Sequence, residues 1–185
     1  MSQPVDNVPA PEIALLELMR GLDARLIRRG DDKTGIPYLW RAYLGERKDL
    51  TKSIAGGFLH RFVSSDEQEW HCHPWEWSYA FIIKGAYREQ RVRATAIDTD
   101  LKTASAVLDG NSLETAEFHP GDTNLILVET FHRVDLLTPE VWTLFVHGPR
   151  VQDWGFVPLG RYDEVLPMRL MTGSTRDRLQ KEDVR

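Results

Sequence analysis

The chain has 185 residues, 42% of them hydrophobic and 28% charged, which suits one soluble globular domain with a real core. A net charge of -5 argues against nucleic acid or an anionic membrane as a partner. No apolar run approaches the length of a membrane span, and the single cysteine excludes an internal disulfide. The first residues, Met1-Ser2-Gln3-Pro4-Val5-Asp6, have neither a basic region nor an apolar core. They do not read as a secretory signal, so a cytoplasmic location is expected.

Residues 1–10 are polar and rich in proline, an expected tail. Pro11 to Arg28 then reads as a helix, with Leu15, Leu18, Met19, Leu22 and Leu26 at helical spacing. Arg25, Arg28 and Arg29 suit its C-terminal end, and Gly30 would stop it. Its apolar stripe is expected to pack on the rest of the fold or on a second subunit, so a homodimer is an open alternative. From residue 36 the texture changes. Runs at 38–44, 57–63, 78–83, 86–97, 124–128, 132–137 and 141–147 are rich in β-branched and aromatic residues. Gly, Pro and Asp separate them at short intervals, the pattern of an all-β sandwich or barrel. Arg88, Arg91 and Arg93 are placed on a solvated face. The expected organisation is a tail and helix over 1–35, a barrel over 36–160 and an irregular tail over 161–185.

Chemistry concentrates in Trp70-His71-Cys72-His73-Pro74-Trp75-Glu76-Trp77-Ser78. A strand alternates its faces, so His71 and His73 point one way and Cys72 the other. Two imidazoles on one face can grip one divalent ion. Pro74 then ends the ladder, since it has no N–H to donate. His60 shares a face with Phe58 and Phe62. If that face is interior, His60 lies near the metal pocket as a substrate contact or as a donor to one of the ligands; a satisfied core histidine is the equal alternative. Trp75 and Trp77 flank Glu76 and are candidates to wall an apolar mouth. Arg61, Arg88 and Arg133 are candidates for gripping a substrate carboxylate.

Residues 38–157 resemble the cupin family, whose double-stranded β-helix is a small jelly roll. His71 and His73 match the H-x-H of the first cupin motif, and Gly85 falls at that motif's glycine. Gly121 and His132 have the spacing of the second motif. Ser78 stands where the first motif carries its Glu, and Leu127 and Glu129 replace the second motif's Pro and Gly. The resemblance implies an all-β cupin jelly roll with an N-terminal α-helix, and His71, His73 and His132 converging as metal ligands. With the usual carboxylate absent, the site is similar to the three-histidine thiol dioxygenase branch. It implies one divalent metal ion per chain, Fe(II) favoured, with Zn, Ni, Mn or Cu as alternatives. Ser78 is expected beside the metal without binding it, within the substrate pocket together with His60 and Trp75. Glu76 is the candidate base or extra ligand. The expected function is an Fe(II) dioxygenase of a small organic substrate. A metal-dependent isomerase or lyase, or a small-molecule-binding cupin without catalysis, are the alternatives.

Overall fold

Strand-forming runs broken by turn residues fold as their composition requires. The computed structural model describes residues 11–29, 35–44, 56–66 and 68–171. After α1 (Pro11–Gly21) come β1 (Ala24–Arg29), β2 (Ile36–Tyr43), β3 (Gly56–Phe62), β4 (Glu69–Cys72) and β5 (Trp77–Lys84). These are followed by β6 (Tyr87–Asp98), β7 (Ser105–Leu108), β8 (Glu114–Phe118), β9 (Thr123–Leu127) and β10 (Thr130–Leu136). The last are β11 (Val141–His147), β12 (Trp154–Pro158), β13 (Val165–Pro167) and β14 (Arg169–Met171).

Two antiparallel sheets face each other. The first runs β1-β2-β3-β11-β5-β9; the second runs β13-β7-β6-β10-β4-β12-β14, with β8 also paired to β6. Because β11 lies between β3 and β5, the chain crosses between sheets, giving a jelly roll and not a meander. This is the all-β barrel with an N-terminal helix. Among the described residues, no helix is long and apolar enough to cross a membrane.

The helix is shorter than its spacing predicts. It ends at Gly21, and residues 24–29 form a strand on β2, with Leu26 opposite Trp40. Glycine is a poor helix former, and the ladder buries both Leu26 and Ile27. Leu15, Leu16, Met19 and Leu22 pack on Ala42, Leu59 and Trp142 of the first sheet, whereas Leu18 is exposed. Residues 24–29 belong to the first sheet, and residues 165–171 add two short strands where an irregular tail was expected. The expected tails at 1–10 and 172–185 lie outside the described residues.

The corner after β5 depends on Gly85. Its φ is +76°, and a Cβ there would stand 2.1 Å from the Glu140 carbonyl oxygen. Gly121 has φ +97° with nothing near its missing Cβ. Gly85→Ala therefore meets both backbone strain and a backbone clash, and Gly121→Ala meets strain alone. Urea unfolding should show a loss of about 3 kcal/mol for Gly85→Ala and about 1 kcal/mol for Gly121→Ala. Equal losses would contradict this account of the corner.

Candidate metal centre

Cross-strand register assembles the site. In the second sheet His132 stands directly opposite His71, and on its other side opposite Arg91. His73 follows β4 by one residue, before Pro74 turns the chain. The result is one cluster, His71, His73 and His132, with a candidate ligand atom from each within 4.8 Å of the others. His73 and His132 are buried, and His71 is half-buried. Cys72 turns to the opposite face and packs with Trp70, Val92, Phe131, Val157 and Met168. Burial pushes its thiol up to about 12, against the thiolate form that a metal ligand needs.

Each imidazole is backed at Nδ1 by an oxygen. His132 Nδ1 donates to Glu89 Oε1 at 2.5 Å. His73 Nδ1 lies 3.1 Å from Ser78 Oγ, whose hydroxyl points toward the Ile126 carbonyl and so leaves its lone pair for the ring N–H. His71 Nδ1 faces Asp66 Oδ2 at 3.8 Å, an electrostatic pairing rather than a hydrogen bond. Asp66 is fixed in turn by the Val134 N–H at 2.6 Å and by the Tyr38 hydroxyl. With the proton on Nδ1, the Nε2 lone pairs of His73 and His132 confront each other at 3.1 Å. Two nitrogens roughly 2.0–2.1 Å from one ion stand about 3 Å apart when bonded at right angles. The donor set therefore fits a divalent cation. Oxygens that fix the tautomers of His73 and His132 at Nδ1, with Asp66 facing His71, are the usual kind of support for such a site.

Glu89 is the least accessible charged group around the site, with no exposed surface. Asn124 Nδ2 donates to it and to the Tyr87 hydroxyl, and Arg91 Nη2 donates to it at 2.6 Å. Burial alone would raise its pKa. Attraction to His132 and Arg91, with the hydrogen bonds from both, outweighs that and holds the carboxyl below the ordinary carboxylate value. Burial, with the charge of Glu89 beside it, holds the Tyr87 hydroxyl protonated well above the usual tyrosine range.

A cavity of about 60 Å³ opens in front of the histidines, between the two sheets. One water needs about 10–15 Å³ of such space, so only a handful of heavy atoms fit. His60 lines the cavity, as do Trp154, Phe145 and Ile126. Ser78 is buried behind His73 and supports its ring instead of lining the cavity. Trp75 is also buried outside the lining, stacked on His147 with ring centroids 4.2 Å apart. Burial holds His147 below the ordinary histidine pKa. Glu76 is exposed and does not line the cavity, because Pro74 and Trp75 turn the chain outward before β5 begins. It is placed neither as a ligand nor as a base.

None of the three arginines considered for a substrate carboxylate lines the cavity. Arg61 pairs with Glu140, Arg88 with Glu117 and Arg133 with Asp135. Arg88 and Arg91 also do not share a face. Arg88 is exposed while Arg91 turns inward to Glu89 and Asn124. Strand alternation across an odd separation carried that signal. The arginine that does line the cavity is Arg41 on β2, which is buried and whose Nε donates to His60 Nε2 at 2.9 Å. That bond fixes His60 as the neutral tautomer with its proton on Nδ1. Thr143 stands opposite His60 on β11; its hydroxyl is buried without a hydrogen-bond partner among the described residues.

No family description matches the sequence, and no curated protein is detectably similar to it. Solved structures are. A single-residue variant of oxalate decarboxylase from B. subtilis is 15% identical over 71% of this chain, with a TM-score of 0.48, and the chain spans 28% of its length. KdgF from Halomonas sp. is 15% identical over 61% of this chain and 80% of its own, with a TM-score of 0.40. Fe(II) HppE in complex with substrate is 10% identical over 68% of this chain and 56% of its own, with a TM-score of 0.45. Likenesses this distant leave function to be read from the site itself.

The backing of His132 gives a direct test. Glu89→Gln keeps the shape of the side chain but weakens the acceptor, so affinity for Zn(II) or Co(II) should fall about 10- to 100-fold, measured by competition with a chromophoric chelator. His71→Ala and His132→Ala should lose stoichiometric metal while remaining folded, and Cys72→Ala should keep it. Unchanged metal content in both histidine variants would remove the site.

Proposed function

We propose that the chain is a metal-dependent cupin enzyme, an iron(II) dioxygenase acting on a small organic acid. The observation that carries the reading is the facing of two walls. Three oxygen-backed imidazoles stand on one side of the cavity, and Arg41, His60 and Thr143 line up on the other. His71, His73 and His132 would hold the ion. Three neutral ligands leave a divalent ion its charge and several open positions, and iron(II) there supplies the redox chemistry that dioxygen needs.

The chain's own residues do the rest. Arg41, bonded through Nε to His60 and lying over the Phe58 ring, brings a buried guanidinium to the cavity wall, a group well matched to a carboxylate. The tautomer that Arg41 imposes on His60 directs the His60 proton to Nδ1, and the Thr143 hydroxyl adds a donor or acceptor on the next strand. Phe145, Ile126 and Trp154 exclude water around the reacting group. An isomerase or lyase needs a general base within reach of the substrate. Of the two carboxylates nearest the histidines, Glu89 is bonded to His132, and Asp66 already accepts from the Val134 N–H and the Tyr38 hydroxyl, which favours oxygen chemistry over proton shuttling.

The test is oxygen consumption by protein loaded anaerobically with Fe(II) and offered small hydroxy, amino and thiol carboxylic acids. The expected result is substrate-dependent uptake of dioxygen, with Arg41→Met raising KM about 10- to 100-fold, as loss of a charge-assisted contact requires. Solvent deuterium entering a substrate without oxygen uptake would favour the isomerase or lyase. Saturable binding with neither outcome would favour a binding protein without catalysis.

A further inference from the structure

An antiparallel sheet with one face in water alternates apolar and polar side chains. The strands β5 and β9 do not. Their inward residues, among them Ala80, Ile82 and Ile126, are buried. Their outward residues Tyr79, Phe81, Ile83, Leu125 and Leu127 are apolar too, each 37–41% exposed. Register places Leu127 beside Trp77 and Leu125 beside Tyr79. On the other side of β5, Val146 lies beside Tyr79 and Leu144 beside Phe81. No outward position in this block carries a charge. The outer surface of the second sheet differs: exposed Arg88 and Glu117 pair there across β6 and β8.

The same first sheet has a covered half. Helix α1 lies over Ala42, Leu59 and Trp142 of β2, β3 and β11. The apolar surface continues past it onto β5 and β9, where no described element covers it. We propose that a second copy of this chain covers it, in a two-fold, face-to-face contact of the β5–β9 surfaces.

Three observations favour that occupant. A two-fold contact sets residues near the axis against their own copies, so a charge there meets a like charge. A charge-free apolar block is compatible with this. The area fits as well. Five large side chains at this exposure present roughly 400 Å², taking about 200 Å² for each. A standard interface takes about 800 Å² from each partner, about 65% of it apolar in homodimers, so the block provides most of an interface core. Of the segments of this chain outside the described residues, 30–34, 45–55 and 172–185 are dominated by charged and polar residues, and 1–10 offers only Met1, Val5 and Val8 as sizeable apolar side chains besides proline, too few to cover five. Pairing along the edge of β9 is disfavoured, because Arg91 Nη1 already donates to the Leu125 carbonyl at 3.2 Å. The contact is therefore between faces.

Sedimentation equilibrium of the full chain at tens of micromolar should give twice the chain mass of 21.3 kDa. Phe81→Glu should weaken association at least about 30-fold, as loss of a central anchor does. It should retain circular dichroism and metal content, since Phe81 faces away from the cavity. Mixing Phe81→Glu with Phe81→Lys should restore a mixed dimer. Should either variant fail to fold, concentration-dependent protection of β5 and β9 amides in the native chain reads the same contact by hydrogen exchange. A native chain that sediments as a monomer overturns the proposal. So does a dimer that survives Phe81→Glu and Leu125→Glu together, or a monomer that floats with phosphatidylcholine vesicles.

Discussion

Burying a carboxylate with no exposed surface demands compensation, and the way Glu89 obtains it organises the barrel interior. His132 donates to one of its oxygens, while Asn124 and Arg91 serve the other. Those donors come from three strands, β10, β9 and β6. One hydrogen-bonded group thus ties the second sheet to the edge of the first and sets the tautomer of a candidate ligand. An unbacked histidine would turn freely between two ring nitrogens. Here the proton is held at Nδ1, and Nε2 is left to face its neighbours.

The two cavity walls have different origins. The second sheet supplies the imidazoles by register, His71 opposite His132, and a corner residue adds the third. The first sheet supplies a polar row, Arg41 opposite His60 and His60 opposite Thr143. Aromatic rings fill the space around these groups; Trp154 meets the His73 ring edge-on at 4.8 Å. A cationic side chain opposite a candidate metal-binding cluster says more about what the cavity would accept than the fold does, since one fold serves many activities.

Much of this was legible in the chain. The alternation in His71-Cys72-His73 separates ligand candidates from a core thiol, and Gly85 marks a corner only glycine accepts. What was not legible depends on tertiary contacts. Residues 24–29 have helical spacing but gain more from pairing with β2. Glu76 lies close to the histidines in sequence, yet the corner at Pro74 carries it to the surface. Glu89 and Asp66 sit in a strand and a turn whose local pattern looks solvated, and Arg41 sits in an apolar run that does not show which face is inward; only the closure of the barrel decides it. The run Ser78 to Ile83 announced a strand, but which of its faces would be covered was decided by where α1 ends.

Three Nε2 atoms would hold one cation, with no carboxylate among its ligands. Anomalous diffraction at the absorption edge of the bound metal, on crystals of the metal-loaded protein, tests it most directly. The account predicts one peak per chain, bounded by Nε2 of His71, His73 and His132, with Glu89 still on His132 Nδ1. A peak ligated by an oxygen of Glu89, Asp66 or Glu76, or by any Nδ1, would contradict it.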